Sequence, residues 1–213
     1  MRTIEVTLYK IDELSEVAKE KAFQDWIGDG DTYHWHKENR ESLISFIKLF
    51  PITVNDWSYG DRNSGVSFRF DNDYHYDIDA VENLSGIRLA TWLWNNLKND
   101  IYKGRWYSHS FNRKTNTLSV KPGDKRKDRR SKLFLETGGV LTGYTIDDSL
   151  LTPIYEFLKK PDKSVTFNDL LTDCFHEWVK DCESDVEHSS SMEAFLESAQ
   201  ANEYEYDDYG NMQ

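Results

Sequence analysis

An α+β fold, an antiparallel sheet of hairpins packed with about five or six helices, is the architecture the sequence predicts. Three observations point to it. Short runs alternate apolar and polar residues, longer runs repeat apolar residues every three to four positions, and the strand-like runs come in neighbouring pairs separated by turn signals.

The first run, residues 2–9, alternates Ile4, Val6 and Leu8 with Thr3, Glu5 and Thr7, the period of a half-buried strand. Ser15 then precedes a helix in which Leu14, Val17, Ala18, Ala22 and Trp26 recur at helical spacing, ended by Gly28 and Gly30. A second helix, from about Tyr33, turns Trp35, Leu43, Ile47 and Phe50 inward and stops at Pro51. Residues 52–59 and 65–71 read as strands around the turn GDRNSG, the second continuing to Asp79. Ser85 caps a helix whose expected buried face holds Ile87, Ala90, Leu93, Trp94 and Leu97. Residues 105–111 and 117–122 form another hairpin, and 123–132 is polar throughout, an exposed loop and the one candidate subdomain boundary in what is otherwise a single domain over 1–213. Thr152 and Pro153 suit the start of a short helix ending before Pro161. From Ser164 to about Glu183 the stripe Phe167, Leu170, Leu171, Cys174, Phe175, Trp178 and Cys182 is unbroken. Ser190 and Glu193 fit a capping box for a last helix carrying Phe195, Leu196 and Ala199, and residues 202–210 read as a terminal strand or an acidic tail.

The chain has 213 residues with 38% hydrophobic and 14% aromatic side chains, enough apolar surface for a core and too much for a disordered acidic tail. No run approaches the roughly 20 apolar residues of a membrane helix, and the opening MRTIEVTLYK lacks a secretory apolar region, so a cytoplasmic protein without membrane contact is expected. Cys174 and Cys182 lie on one helix about 12 Å apart, beyond disulfide reach, which predicts buried reduced thiols.

Charge is uneven. The net −12 hides a segment, 101–133, with 11 basic and 2 acidic groups, and another, 134–213, with 4 basic and 18 acidic. Such polarisation steers charged partners, unless the two segments face each other and cancel.

Three stretches then carry a resemblance: the opening strand running into LYKIDELSEVAKEKAFQDWI, the central LTGYTIDDSLLTPIYEFL, and the close ANEYEYDDYG. Together they resemble a family of small cytosolic proteins encoded by bacteriophages, prophages and other mobile elements, loosely labelled antitoxin-like. The resemblance implies a phage or mobile-element setting, in which small acidic proteins bind and inhibit host machinery. It assigns no functional residue.

Among candidate sites, FDNDYHYDID at 70–79 places Asp71, Asp73, His75, Asp77 and Asp79 on one strand face. Neighbours there sit roughly 7 Å apart, close to the phosphate spacing of a nucleic-acid strand, so the row reads as a DNA-mimicking surface or as a plain solvated face. Asp71, Asp73, His75 and Glu82 also match places one, three, five and twelve of a calcium loop, but Tyr76 stands where that loop needs Gly. Asp169, Asp173 and Glu177 follow at four-residue spacing on the polar side of a helix, where like charges ask for a cationic neighbour. These seven residues, Asp71, Asp73, Asp77, Asp79, Asp169, Asp173 and Glu177, form the expected acidic binding surface for a basic host protein.

The opposite signal is Lys121, Lys125, Arg126, Lys127, Arg129, Arg130 and Lys132, with Arg105, Trp106 and Tyr107 upstream, a pattern that contacts phosphates and stacks on bases. His34 and His36 flank Trp35 near Asp31, a sparse metal-ligand set. No phosphate-binding Gly loop, nucleophile elbow or paired CxxC occurs, Gly138, Gly139 and Gly143 being too sparse for a phosphate cradle. No cofactor is implied. The expectation is therefore a binding protein rather than an enzyme, acting through an acidic, DNA-mimic-like surface on a host nucleic-acid-handling or defence factor. The alternatives are a nucleic-acid binder using the basic loop and a metal-dependent hydrolase built on the 71–79 row with His75. Nothing in the sequence sets the oligomeric state.

Overall fold

A computed structural model describes residues 7–28, 33–60, 62–71, 81–98, 100–101, 109–112, 117–120 and 139–213. Its elements are a 3₁₀ turn at Ile11–Glu13, α1 (Glu16–Gly28), α2 (His36–Ile47), β1 (Ile52–Ser58), β2 (Gly65–Phe70), α3 (Gly86–Leu97), β3 (His109–Asn112), β4 (Thr117–Val120), α4 (Asp147–Lys159), α5 (Phe167–Ser189) and α6 (Met192–Ala201). The fold is α+β. β1 pairs with β2 and β3 with β4. The six residues joining β1 to β2 are too few for a parallel crossover. β3 and β4 are antiparallel, with His109 opposite Val120 and Asn112 opposite Thr117. Among the described residues, no helix is long and apolar enough to cross a membrane. The 123–132 loop lies outside the described residues.

By its contacts the chain divides into two compact units: unit 1 is 1–39, 58–64 and 179–213, and unit 2 is 40–57 and 65–178.

In unit 1, Ile11, Leu14, Ala18 and Ala22 meet Phe195, Ala199 and Tyr206 in one buried cluster, with Phe23 and Trp26 packed beside it. The Trp26 and Phe195 rings lie 5.5 Å apart, and Phe23 and Phe195 5.8 Å. Small residues at 18 and 22 let α1 approach α6 closely. Tyr9 exchanges both backbone hydrogen bonds with Tyr206, at 2.8 and 3.0 Å, and Tyr206 bridges Met212 on its other side. Gly210 turns the chain at φ +85°, and a Cβ there would lie 2.2 Å from the Ala18 carbonyl oxygen. Residues 2–6 of the expected first strand, 2–9, lie outside the described residues.

Unit 2 is built on the expected stripe. Phe167, Leu170, Leu171, Cys174, Phe175 and Trp178 are all buried, as is Cys182 in unit 1, and both cysteines are free thiols. Phe167 has no exposed surface and contacts Phe50, Phe70 and Trp92 at ring separations of 5.9, 5.5 and 4.9 Å. Phe46, Phe68 and Phe175 extend this aromatic core.

Several expectations of detail are corrected. Val17 is 82% exposed, because it projects about 100° away from the Ala18 side of α1. Trp35 is 58% exposed, since α2 starts only at His36. On α3 the buried line is Leu89, Leu93 and Leu97, which leaves Ile87 71% exposed. α4 begins at Asp147 rather than at Thr152, with Pro153 inside it. Acidic residues in its first turn favour that earlier start, although Pro153 can donate no hydrogen bond to the turn before it. α5 opens at Phe167, capped by Thr166, and runs to Ser189. α6 is capped by Ser191, whose Oγ accepts from the Ala194 N–H at 3.2 Å, while Ser190 Oγ donates back to the Val186 carbonyl. The Ser190–Glu193 capping box therefore does not form.

Phe167→Ala removes the ring shared by three aromatic neighbours. It is expected to cost about 3–5 kcal/mol of unfolding free energy, measured by urea titration, with secondary structure in the folded baseline retained.

Candidate functional site

Of the expected acidic row, Asp71 is half-buried at the end of β2. Its backbone N–H donates to the Pro51 carbonyl at 2.9 Å and its carboxylate accepts from Thr53 Oγ1. It lines a cleft of about 580 Å³ in unit 2 with Lys48, Phe50, Trp92, Asn96 and Asp100. Asp73, His75, Asp77 and Asp79 lie outside the described residues, as do Lys121, Lys125, Arg126, Lys127, Arg129, Arg130 and Lys132.

Asp169 has a local task. Its carboxylate accepts from the Thr166 N–H at 3.0 Å and Thr166 Oγ1 at 2.7 Å, while the Asp169 N–H returns a bond to Oγ1 at 3.2 Å. This is a reciprocal cap at the start of α5. The hydrogen bonds hold its carboxyl below the usual range. Asp173 is exposed and Glu177 half-buried. The described members of the expected acidic set thus fall into separate settings, a cleft edge, a helix cap and a helix face.

All seven expected acidic residues, and the whole basic segment, belong to unit 2, whose residues number 19 basic and 18 acidic. Unit 1 holds 7 basic and 20 acidic residues, a formal −13. The negative excess of the protein is therefore carried by unit 1. Three of its lysines pair with carboxylates: Lys10 with Glu205 at 3.1 Å, Lys19 with Glu16 at 3.2 Å and Lys21 with Asp25 at 2.8 Å. Glu187, Glu193, Glu197 and Asp208 are exposed and enter none of these pairs. The C-terminal part of α5 places Asp181, Glu183, Asp185 and Glu187 within its last nine residues. That end of a helix carries negative partial charge, so Glu187, in the last turn, opposes the dipole. Burial and the neighbouring Asp181 push the Asp185 carboxyl above its ordinary range, with His188 acting in the other direction.

Close to this segment lies a polar aromatic group. Asn39 Nδ2 donates to Tyr33 Oη at 2.5 Å, and His36 Nδ1 lies 2.7 Å from Tyr59 Oη. The His36 ring packs edge-on against Tyr33 at 4.7 Å. Burial drives the Tyr33 hydroxyl and the Cys182 thiol far up, which keeps both neutral at physiological pH. The group therefore lacks an ionised nucleophile. Of the His34, His36 and Asp31 metal set, both histidines are exposed and Asp31 lies outside the described residues. Among the described residues, no three His, Cys, Asp or Glu side chains assemble around a metal position.

One buried acid escaped the sequence reading. Asp147 has no exposed surface, and its Oδ2 accepts the backbone N–H groups of Leu141, Thr142 and Gly143 at 2.9, 2.6 and 3.3 Å. Thr142 Oγ1 donates to Oδ1 at 2.9 Å. The Gly-containing loop does cradle an anion, and that anion is the protein's own carboxylate. Gly139 is required beside it: its φ is +63°, and a Cβ would lie 2.2 Å from the Tyr144 carbonyl oxygen. The available signal was an Asp eight residues after paired glycines and at the first position of a helix.

No protein-family model matches this chain, and neither a curated protein nor a solved structure is similar to it.

Asp147→Ala orphans three backbone donors and is expected to cost ~3 kcal/mol in urea unfolding. For Asp185 the sign follows from its raised folded pKa: the native state holds the proton more tightly, so stability is lost as pH rises through that value. Asp185→Asn should therefore raise the thermal midpoint at pH 7, and the gain should vanish below the ordinary Asp range, about pH 3.9.

Proposed function

We propose that this protein works by binding rather than catalysis, its acidic unit 1 engaging a basic surface on another macromolecule. The observation that supports this reading best is the confinement of the negative excess to unit 1, while unit 2 comes to +1. Exposed acids such as Glu187, Glu193, Glu197 and Asp208 remain open to a cationic partner. Glu187, in the last turn of α5, works against the helix dipole locally, a cost that a bound cation would relieve. Complementary fields of this kind raise association rates, and screening over about 8 Å at physiological salt makes the contact salt-sensitive.

With the resemblance to phage and mobile-element proteins, the reading becomes specific: a cytoplasmic inhibitor that occupies the basic nucleic-acid-binding face of a host defence or nucleic-acid-handling factor. The site differs from the first expectation. The binding surface is assigned to unit 1, and the 71–79 row contributes to a unit whose charges balance. The basic run Lys125 to Arg130 supports a second reading, a nucleic-acid contact through unit 2, because the acids of that unit only offset its cations rather than exceed them.

The test is co-purification from the native host at low and high salt. A partner that elutes with salt, competes with DNA for the same host protein and is lost on Glu187→Gln, Glu193→Gln, Glu197→Gln and Asp208→Asn together supports the acidic reading. Retention unaffected by that quadruple change overturns it. A direct, salt-dependent gel shift of DNA or RNA abolished by reversing Lys125 to Arg130 establishes the second reading instead.

A further inference from the structure

Exposed apolar side chains cluster in the acidic unit. Val17 is 82% exposed, Tyr209 68%, Met212 59% and Leu8 41%, and backbone contacts bring together the segments that carry them. Gly210 lies directly against the Ala18 carbonyl, and Asn211 Oδ1 accepts from Lys21 Nζ. Tyr209 and Met212 thereby flank a segment seated on α1, one residue along from Val17. Tyr206 is bridged to Tyr9 on one side and to Met212 on the other, which brings the Leu8 end of the chain alongside. The segment is well fixed: the Asp207 carboxylate accepts the N–H groups of Tyr209 and Asn211, each at 2.9 Å, and the Gln213 N–H donates to the Glu205 carbonyl at 3.0 Å.

Acids border this apolar ground. Lys10, Lys19 and Lys21 are engaged by Glu205, Glu16 and Asp25, whereas Glu20 and Asp208 enter no ion pair among the described residues. Single exposed apolar side chains are ordinary on a folded protein, whereas several gathered together mark a contact surface. A second copy would set −13 against −13, and lipid headgroups or nucleic acids that are anionic would be repelled.

We propose that Leu8, Val17, Tyr209 and Met212 form a docking surface for a cationic amphipathic segment of a protein partner, one that offers apolar side chains flanked by Lys or Arg. This rests on the acidic-binding reading above and adds the apolar half of the recognition. The partner's apolar residues cover the patch while its cations meet the bordering acids, a division between a dry centre and a charged rim.

The test uses two fluorescent peptides of equal length and equal Lys content, one Leu/Lys amphipathic helix and one Lys/Ser peptide, titrated with the full chain by anisotropy. The Leu/Lys peptide should bind at least about tenfold more tightly, and Val17→Ser, Tyr209→Ser and Met212→Ser together should bring it to within about twofold of the Lys/Ser peptide. Equal affinity for the two peptides, or a Leu/Lys affinity unchanged in the triple variant, overturns the docking surface and leaves the acidic reading standing. Binding of neither peptide at low salt overturns both. If the triple variant loses its circular dichroism, Val17→Ser alone decides: a loss of about threefold supports the surface, and an unchanged affinity overturns it.

Discussion

Burial of the Phe167 ring among Phe50, Phe70 and Trp92 is the constraint on which unit 2 depends. It ties the start of α5 to the segment between α2 and β1, to β2 and to α3, parts distant along the chain. β1 and β2 make only a two-stranded sheet, and a two-stranded hairpin is marginal in water by itself. The aromatic faces supply the large apolar area that these pieces lack alone. In unit 1, Cys182 is buried and Asp181, Glu183, Asp185 and Glu187 fall within nine residues of one another.

The acids of the protein divide by what holds them. Asp147, Asp169 and Asp207 accept backbone N–H groups and act as structural anions, closing a loop, a helix start and a turn. Glu187, Glu193, Glu197 and Asp208 are exposed, and no backbone N–H among the described residues donates to their carboxylates. A count of carboxylates alone cannot separate these populations, because the difference lies in whether donors converge on the group. The proposed recognition of a cation rests on the second population, whose carboxylates are exposed, rather than on a helix-capping Asp169.

Local signals were legible where they came from one segment. The stripe from Phe167 to Cys182 predicts its own burial in full, since seven apolar residues at helical spacing leave one face to cover. The 65–70 strand and the 109–120 hairpin likewise follow from alternation and turn residues. Boundaries were harder. Asp147 and Thr152 both suit a helix start, and the choice between them was made by loop N–H groups that bond Asp147. Ser190 and Ser191 are equivalent as caps in sequence, and only the end of α5 shows that Ser190 is engaged there.

The sequence by itself determined the α+β class, the apolar stripes, the reduced thiols and the total charge, all of which depend on composition or on neighbours within a turn or two. Tertiary structure decided how that charge is shared out. Residues 1–39 and 179–213 are far apart along the chain, yet the Tyr9–Tyr206 pairing and the contact of α1 with α6 place them in one unit, so the acids of both ends accumulate there while the basic segment is balanced elsewhere. Long-range pairing of this kind is a property of packed surfaces, and no window of local sequence contains it.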